Sequence, residues 1–178
     1  MKLEDLKSRI RDVPNFPIQG IIFRDITTLL EDTEAFKFVI DHLFKRYRGK
    51  KIDKIVAIES RGFIFGGALA DRLGCGFVPA RKAGKLPADT IEESYNLEYG
   101  TASLQLHSDA IQKGQKVLIL DDLMATGGTL AATAKLVQRL GGKVVEIAVL
   151  IELNFLKGRD LVKDYPLYTM IQYESEEG

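Results

Sequence analysis

KVLILDDLMATGGTL, Lys116 to Leu130, is the stretch from which the rest of the chain can be read. Val117–Leu120 is an unbroken apolar run, as expected of a strand buried on both faces of a parallel sheet. Asp121 and Asp122 follow at once, then the small residues of ATGGT. A helical pattern comes next, in which Leu130, Ala134, Val137 and Leu140 share one face. Adjacent carboxylates at the end of a buried strand repel each other and lose hydration, so they require hydroxyls, N–H groups or a cation. Ala125–Thr129 offers consecutive backbone N–H groups, two threonine hydroxyls and a helix start, which together suit a phosphate. A sugar with vicinal hydroxyls beside that phosphate would satisfy both halves, which describes a ribose 5-phosphate site. Taken singly, ATGGT is also an ordinary tight turn and either aspartate an ordinary cap.

A second unit rhymes with the first. KIVAIESRGFIFGGALADRLG (54–74) runs lysine, four apolar residues, an acid, a glycine-containing turn and a helix closing on Arg-Leu-Gly, as does 116–141. Both place a turn and a helix N-terminus at the carboxyl edge of the sheet, where open α/β sheets bind ligands. Around them, DTEAFKFVIDHLFKRYRG predicts a helix capped by Asp32 or Thr33, CGFVPAR a short strand stopped at Pro79, and VVEIAVLIE a further buried strand. Strands alternating with helices imply an α/β fold with a central, mainly parallel sheet flanked by helices. Residues 82–107 break that pattern and read as a flexible loop feeding a two-stranded excursion that turns near Gly100. The N-terminal MKLEDLKSRIRDV has Leu3, Leu6, Ile10 and Val13 at helical spacing, and YPLYTMIQYESEEG predicts a last strand with a frayed acidic tail.

Composition sets outer bounds. The 178 residues suffice for one domain, and Lys+Arg and Asp+Glu are 25 each, so no global basic field points to nucleic acid or an anionic membrane. The N-terminus lacks the apolar core of a signal peptide, no apolar run approaches membrane-spanning length, and Cys75 has no partner for an internal disulfide. A cytoplasmic protein with a buried, structural Cys75 is expected. Common nucleotide motifs are missing: PARKAGKL has Pro79 where a P-loop needs its first glycine and Leu86 after the lysine, and no G-x-G-x-x-G follows a strand.

VLILDDLMATGGT resembles the signature of the type I phosphoribosyltransferases, which bind phosphoribosyl pyrophosphate (PRPP). FPIQGIIFRDIT (16–27), ESRGF (59–63), RKAGKLP (81–87) and SYNLEYG (94–100) are similar, in that order, to the adenine-specific members, and LKGRDLV and IQYE extend the likeness over nearly the whole chain. Gln19, where a second proline is frequent, and Met124, where leucine is usual, are mild departures.

The resemblance implies one phosphoribosyltransferase domain over 1–178, with an N-terminal base-binding hood at about 1–30 and a flexible flap at about 82–107. It implies that Asp121, Asp122 and Ala125, Thr126, Gly127, Gly128 and Thr129 hold the ribose and its 5′-phosphate. Glu59, Ser60, Arg61 and Gly62, with Arg81, Lys82 and Lys85 from the flap, would hold pyrophosphate. Phe23 would stack on adenine while the main chain of Ile22 and Arg24 reads its edge; residue pattern alone would bury Phe23, and Asp25 would brace Arg24 or the loop. Glu98 is the implied catalytic carboxylate for the adenine proton, with Tyr99 helping the flap to close. Mg²⁺ would ride on PRPP with no dedicated protein ligands. The implied reaction is adenine plus PRPP giving AMP and pyrophosphate, in a homodimer. Hypoxanthine, guanine or xanthine as the base, and a non-catalytic PRPP-binding regulator, are the alternatives. His42 and His107 have no triad or metal-ligand spacing and are assigned no chemistry.

Overall fold

The structure, a computed structural model, describes residues 1–96 and 100–176. Glu98 and Tyr99 lie outside the described residues. Strands β1 (Arg11–Pro14) and β2 (Ile22–Asp25) form a small antiparallel ribbon, followed by α1 (Thr27–Glu31) and α2 (Thr33–Tyr47). The remainder is β3 (Lys54–Ile58), α3 (Arg61–Leu73), β4 (Gly76–Lys82), β5 (Thr90–Asn96), β6 (Thr101–His107), β7 (Lys116–Met124), α4 (Gly128–Arg139), β8 (Lys143–Leu153) and β9 (Leu167–Tyr173). The main sheet has seven strands in the order β5-β6-β4-β3-β7-β8-β9. Strands β4 to β9 of that order run parallel, and the β5–β6 hairpin joins antiparallel at the β4 edge. No helix among the described residues is long and apolar enough to cross a membrane.

Strand β7 shows why the apolar runs are continuous. Leu118 and Leu120 join one core with α2 and α3, while Val117 and Ile119 join the other with α4. Successive side chains point to opposite faces, so a sheet covered on both sides needs apolar residues at every position. Helix α2 starts where Asp32 Oδ1 accepts the Glu34 and Ala35 N–H groups at 3.0 and 3.1 Å, an N-cap worth about 1 kcal/mol. Helix α3 ends at Gly74, whose φ of 67° is the left-handed conformation expected of a C-terminal glycine.

Several expectations change. The N-terminal helix is only a 3₁₀ turn over Glu4–Arg9, and Arg11–Pro14 becomes β1. In the β1–β2 register Arg11 faces Asp25 and Asp12 faces Arg24, and both couples are ion pairs at 2.6 Å. Cross-strand charges thus claim the segment, and Arg24 is braced by Asp12, not Asp25. Strand β4 runs through Pro79 because β6 meets it only at Arg81 and Lys82, so the missing N–H faces no partner. Strand β7 extends past both aspartates to Met124, still paired with β8 at Leu123 and Met124, whereas β3 leaves it after Leu120. Cys75 is half-buried, not buried, and burial pushes its thiol up, away from reactivity. The acidic tail is held as far as Glu176, which accepts the Ile22 N–H at 2.6 Å.

Close helix–sheet packing depends on Gly66, where an added Cβ would lie 2.6 Å from Ala57 Cβ and 3.1 Å from Phe77. Phe77 can turn outward; Ala57 is fully buried and cannot. Gly66→Ala gains helix propensity but overpacks this contact, and a net loss of about 1–2 kcal/mol is expected. Urea unfolding reads it; a raised midpoint would mean α3 moves freely off the sheet.

Candidate active site

The two rhyming units lie side by side, β3 leading into α3 and β7 into α4, so both turns open at one edge of the sheet. Where β3 stops, β7 continues, and at the open edge the buried Asp121 and Asp122 face the gap between the turns. Asp121 Oδ1 accepts the Asp122 N–H at 2.9 Å, and Arg61 Nε lies 2.8 Å from Asp122 Oδ2. That ion pair is close but misaligned for a hydrogen bond, so Asp122 Oδ2 stays buried without a donor. Burial, then the Asp122 charge beside it, pushes Asp121 well above the usual carboxylate range. Burial raises Asp122 as well, against the opposing pull of Arg61. The pair therefore retains a proton at a pH where ordinary carboxylates have lost theirs.

Seven of the candidate residues line one cleft of about 160 Å³: Glu59, Ser60, Arg61, Lys82, Asp121, Asp122 and Thr129. Tyr95 and Leu104 of the hairpin close its side, a contribution that residue pattern did not reveal. A recess of about 90 Å³ adjoins it, lined by Ala125, Thr126, Gly127 and Thr129 at the start of α4. Gly127 has φ 83°, and Gly128 packs under the Tyr95 ring. Gly62 backs the first turn of α3 against Asp121, whose Oδ1 would lie 2.8 Å from any Cβ there. The basic cluster Arg81, Lys82 and Lys85 is only partly assembled at the cleft. Lys82 reaches the cleft, Arg81 lies 3.3 Å from Glu59, and Lys85 is exposed outside it. Glu59 also accepts the Lys82 N–H, so it ties the end of β3 to the root of the hairpin. The Glu59–Ser60 peptide is cis.

The N-terminal segment completes the edge. Phe23 is half-buried, with Phe16 at 5.3 Å edge-on and the Arg61 guanidinium at 5.1 Å over its ring. Arg61 therefore bridges Phe23 to Asp122. Arg24 is 3% exposed, holding Asp12, the Glu176 carbonyl and the Tyr173 ring, so its side chain is structural. His42 is likewise structural: it stacks on Tyr168 and its Nε2 is 2.5 Å from the phenol oxygen.

The phosphoribosyl transferase domain family matches residues 27–176. The chain belongs to that family. Among its phosphoribosyltransferase relatives, a curated adenine phosphoribosyltransferase of Desulfosudis oleivorans is 54% identical over 97% of this chain and 99% of its own length. The crystal structure of adenine phosphoribosyltransferase from Thermoanaerobacter pseudethanolicus is 53% identical, with a TM-score of 0.93 over 97% of this chain and 100% of that one. The Saccharomyces cerevisiae enzyme, complexed with adenine and D-2,5-dideoxy-2,5-imino-altritol 1,6-bisphosphate, is 42% identical, with a TM-score of 0.89 over 95% and 98%. The phosphoribosyltransferase fold, with its mainly parallel seven-stranded sheet flanked by helices, is thus the architecture that sets the two turns together.

Proposed function

We propose that this chain is an adenine phosphoribosyltransferase that joins adenine to carbon 1 of PRPP, releasing pyrophosphate and forming AMP. The observation that carries this is the buried acid pair between two helix-opening turns, in a chain matched end to end by adenine phosphoribosyltransferases. The recess at Ala125–Thr129 takes the 5′-phosphate, whose charge is met by N–H groups and the start of α4. Asp121 and Asp122 take the ribose hydroxyls and face the positive charge that grows on the sugar as pyrophosphate departs. Ser60, Arg61 and Gly62, with Lys82, Arg81 and Lys85 above them, take the pyrophosphate, and Glu59 holds Lys82 in place. Phe23, polarised by Arg61, stacks on the adenine while the Ile22 and Arg24 main chain reads its edge.

Bond formation requires that adenine lose a ring proton, and Glu98 accepts it as Tyr99 and the rest of the 82–107 hairpin cover the site. Excluding water matters because it is the competing nucleophile. Mg²⁺ bound with PRPP supplies charge neutralisation on the departing pyrophosphate. The buried Asp122 Oδ2, a hard oxygen without a donor, fits such a cation, and a substrate-borne Mg²⁺ needs few protein ligands. A cytoplasmic homodimer completes the reading, supported by a lone cysteine and by exposed Ile64 and Phe77 on α3 and β4.

Purified protein with PRPP and Mg²⁺, offered adenine, hypoxanthine, guanine and xanthine separately, tests the assignment. Base-dependent pyrophosphate release is expected with adenine at least about a hundredfold faster than with the others. Release without any base, or with hypoxanthine alone, would sink it.

A further inference from the structure

The turn at Ala125–Gly128 rests on a second turn that is remote from it in sequence. Between β8 and β9 the chain makes two short 3₁₀ turns, Asn154–Leu156 and Gly158–Leu161, joined by Lys157 in the left-handed conformation. A Cβ added at Gly158 would lie 2.4 Å from the Ala125 carbonyl oxygen, 3.1 Å from the Gly127 nitrogen and 3.1 Å from Met124 Cγ. Reciprocally, a Cβ at Gly127 would lie 2.4 Å from the Gly158 oxygen. Two bare backbones are in contact, and neither can rotate aside as a side chain would.

Gly158 is itself held. Its neighbour Arg159 forks onto Glu152, Nε to Oε1 at 2.6 Å and Nη2 to Oε2 at 2.7 Å, and Gln172 donates to the same carboxylate at 2.9 Å. Glu152 is 1% exposed and lies opposite Met124 on β7 and Gln172 on β9. A bidentate guanidinium–carboxylate pair fixes orientation as well as distance. The pair therefore anchors the 158 turn to the ends of the same strands that launch the 125 turn.

We propose that Gly158 is a positioning residue for the 5′-phosphate: its bare backbone sets the Ala125–Gly128 turn from behind, and the Arg159–Glu152 pair keeps Gly158 in place. This rests on the reading of Ala125–Thr129 as the phosphate site. A methyl at 158 must push the Ala125 carbonyl away by more than half an ångström, since real Cβ contacts essentially never fall below 3.0 Å, and crowds the Gly127 nitrogen at 3.1 Å, which must give by a few tenths. The N–H groups that converge on the phosphate then diverge, while the base-reading strand, on another part of the chain, is untouched.

Ribose 5-phosphate titrated into ¹⁵N-labelled protein gives the test, with the Gly127 and Gly128 amides as reporters and steady-state kinetics beside it. In the wild type both amides shift; if they do not, the phosphate site is misassigned and the inference falls with it. With those shifts in place, Gly158→Ala weakens ribose 5-phosphate and raises the KM for PRPP by about tenfold or more, leaving the KM for adenine within about twofold. Arg159→Lys, which keeps the charge and loses the fork, shifts both in the same direction by about three- to tenfold. Wild-type affinity in Gly158→Ala, or equal losses for adenine and PRPP, would overturn the role of Gly158 alone. Should Gly158→Ala not fold, Arg159→Lys decides: unchanged ribose 5-phosphate affinity there refutes the proposal, and a selective loss sustains it.

Discussion

Asp121→Asn will slow turnover by about a hundred- to a thousandfold and, in the same protein, make the empty enzyme more resistant to urea. The loss of rate follows from removing one of two negative charges that face the developing cation, in a site too dry for water to replace it. Asparagine keeps the oxygen that accepts the Asp122 N–H, so the local backbone has no reason to move. The gain in stability follows from the direction of the pKa. Asp121 is raised in the folded state, first by burial and then by Asp122, so the native chain holds a proton that the unfolded chain releases. Its contribution is intact below the ordinary carboxylate pKa of about 4 and is lost as pH rises from there through the raised folded value. As pH rises from acid toward neutral the wild type loses that contribution and the amide loses none. A gain of about 1 kcal/mol, near 3 °C in Tm, is expected at neutral pH and should vanish at acid pH. A variant equally stable at both pH values, or less stable at neutral pH, would show that the pair is ionised and satisfied by groups other than substrate.

Gly127→Ala is expected to lower kcat/KM for PRPP by about a hundredfold or more while the KM for adenine changes little. Two costs meet at this position. Its φ of 83° is left-handed, where an L side chain costs about 1–2 kcal/mol, and the added Cβ would lie 2.4 Å from a backbone oxygen, that of Gly158. Gly128 provides the internal comparison. There the nearest atom to a new Cβ is Tyr95 Cδ2 at 3.1 Å, a side chain that can tilt, and φ is not positive. Gly128→Ala should therefore lose about tenfold at most. Equal effects at the two glycines would mean that loss of flexibility, not displacement of the turn, is what the assay reads.

Much of the fold was legible because local rules and global packing agree. Continuous apolar runs marked β3, β7 and β8, Asp32 marked the start of α2, and Gly74 marked the end of α3. Disagreement arose where a segment's partner is distant. Leu3, Leu6, Ile10 and Val13 have helical spacing, but a short helix is marginal and a ladder with two cross-strand ion pairs wins. Pro79 reads as a strand breaker until the outer neighbour of β4 is known to be missing at that point. Phe23 reads as a core residue until Arg61 is seen over its ring.

By itself the sequence determined the chemistry available: adjacent acids after a buried strand, small residues at a helix start, and a second unit built on the same plan. Each of these is a local property, set by side-chain type and by spacing of a few residues. Only the tertiary structure decided that β3 leaves β7 four residues before β7 ends, which opens an edge and leaves Asp121 and Asp122 buried there, with Arg61 ion-paired to Asp122. It alone also set Gly158 against Gly127, a contact between residues about thirty apart whose requirement is the absence of a side chain. Such a requirement exists only once two backbones meet, because a missing atom has no signature until something else occupies its place.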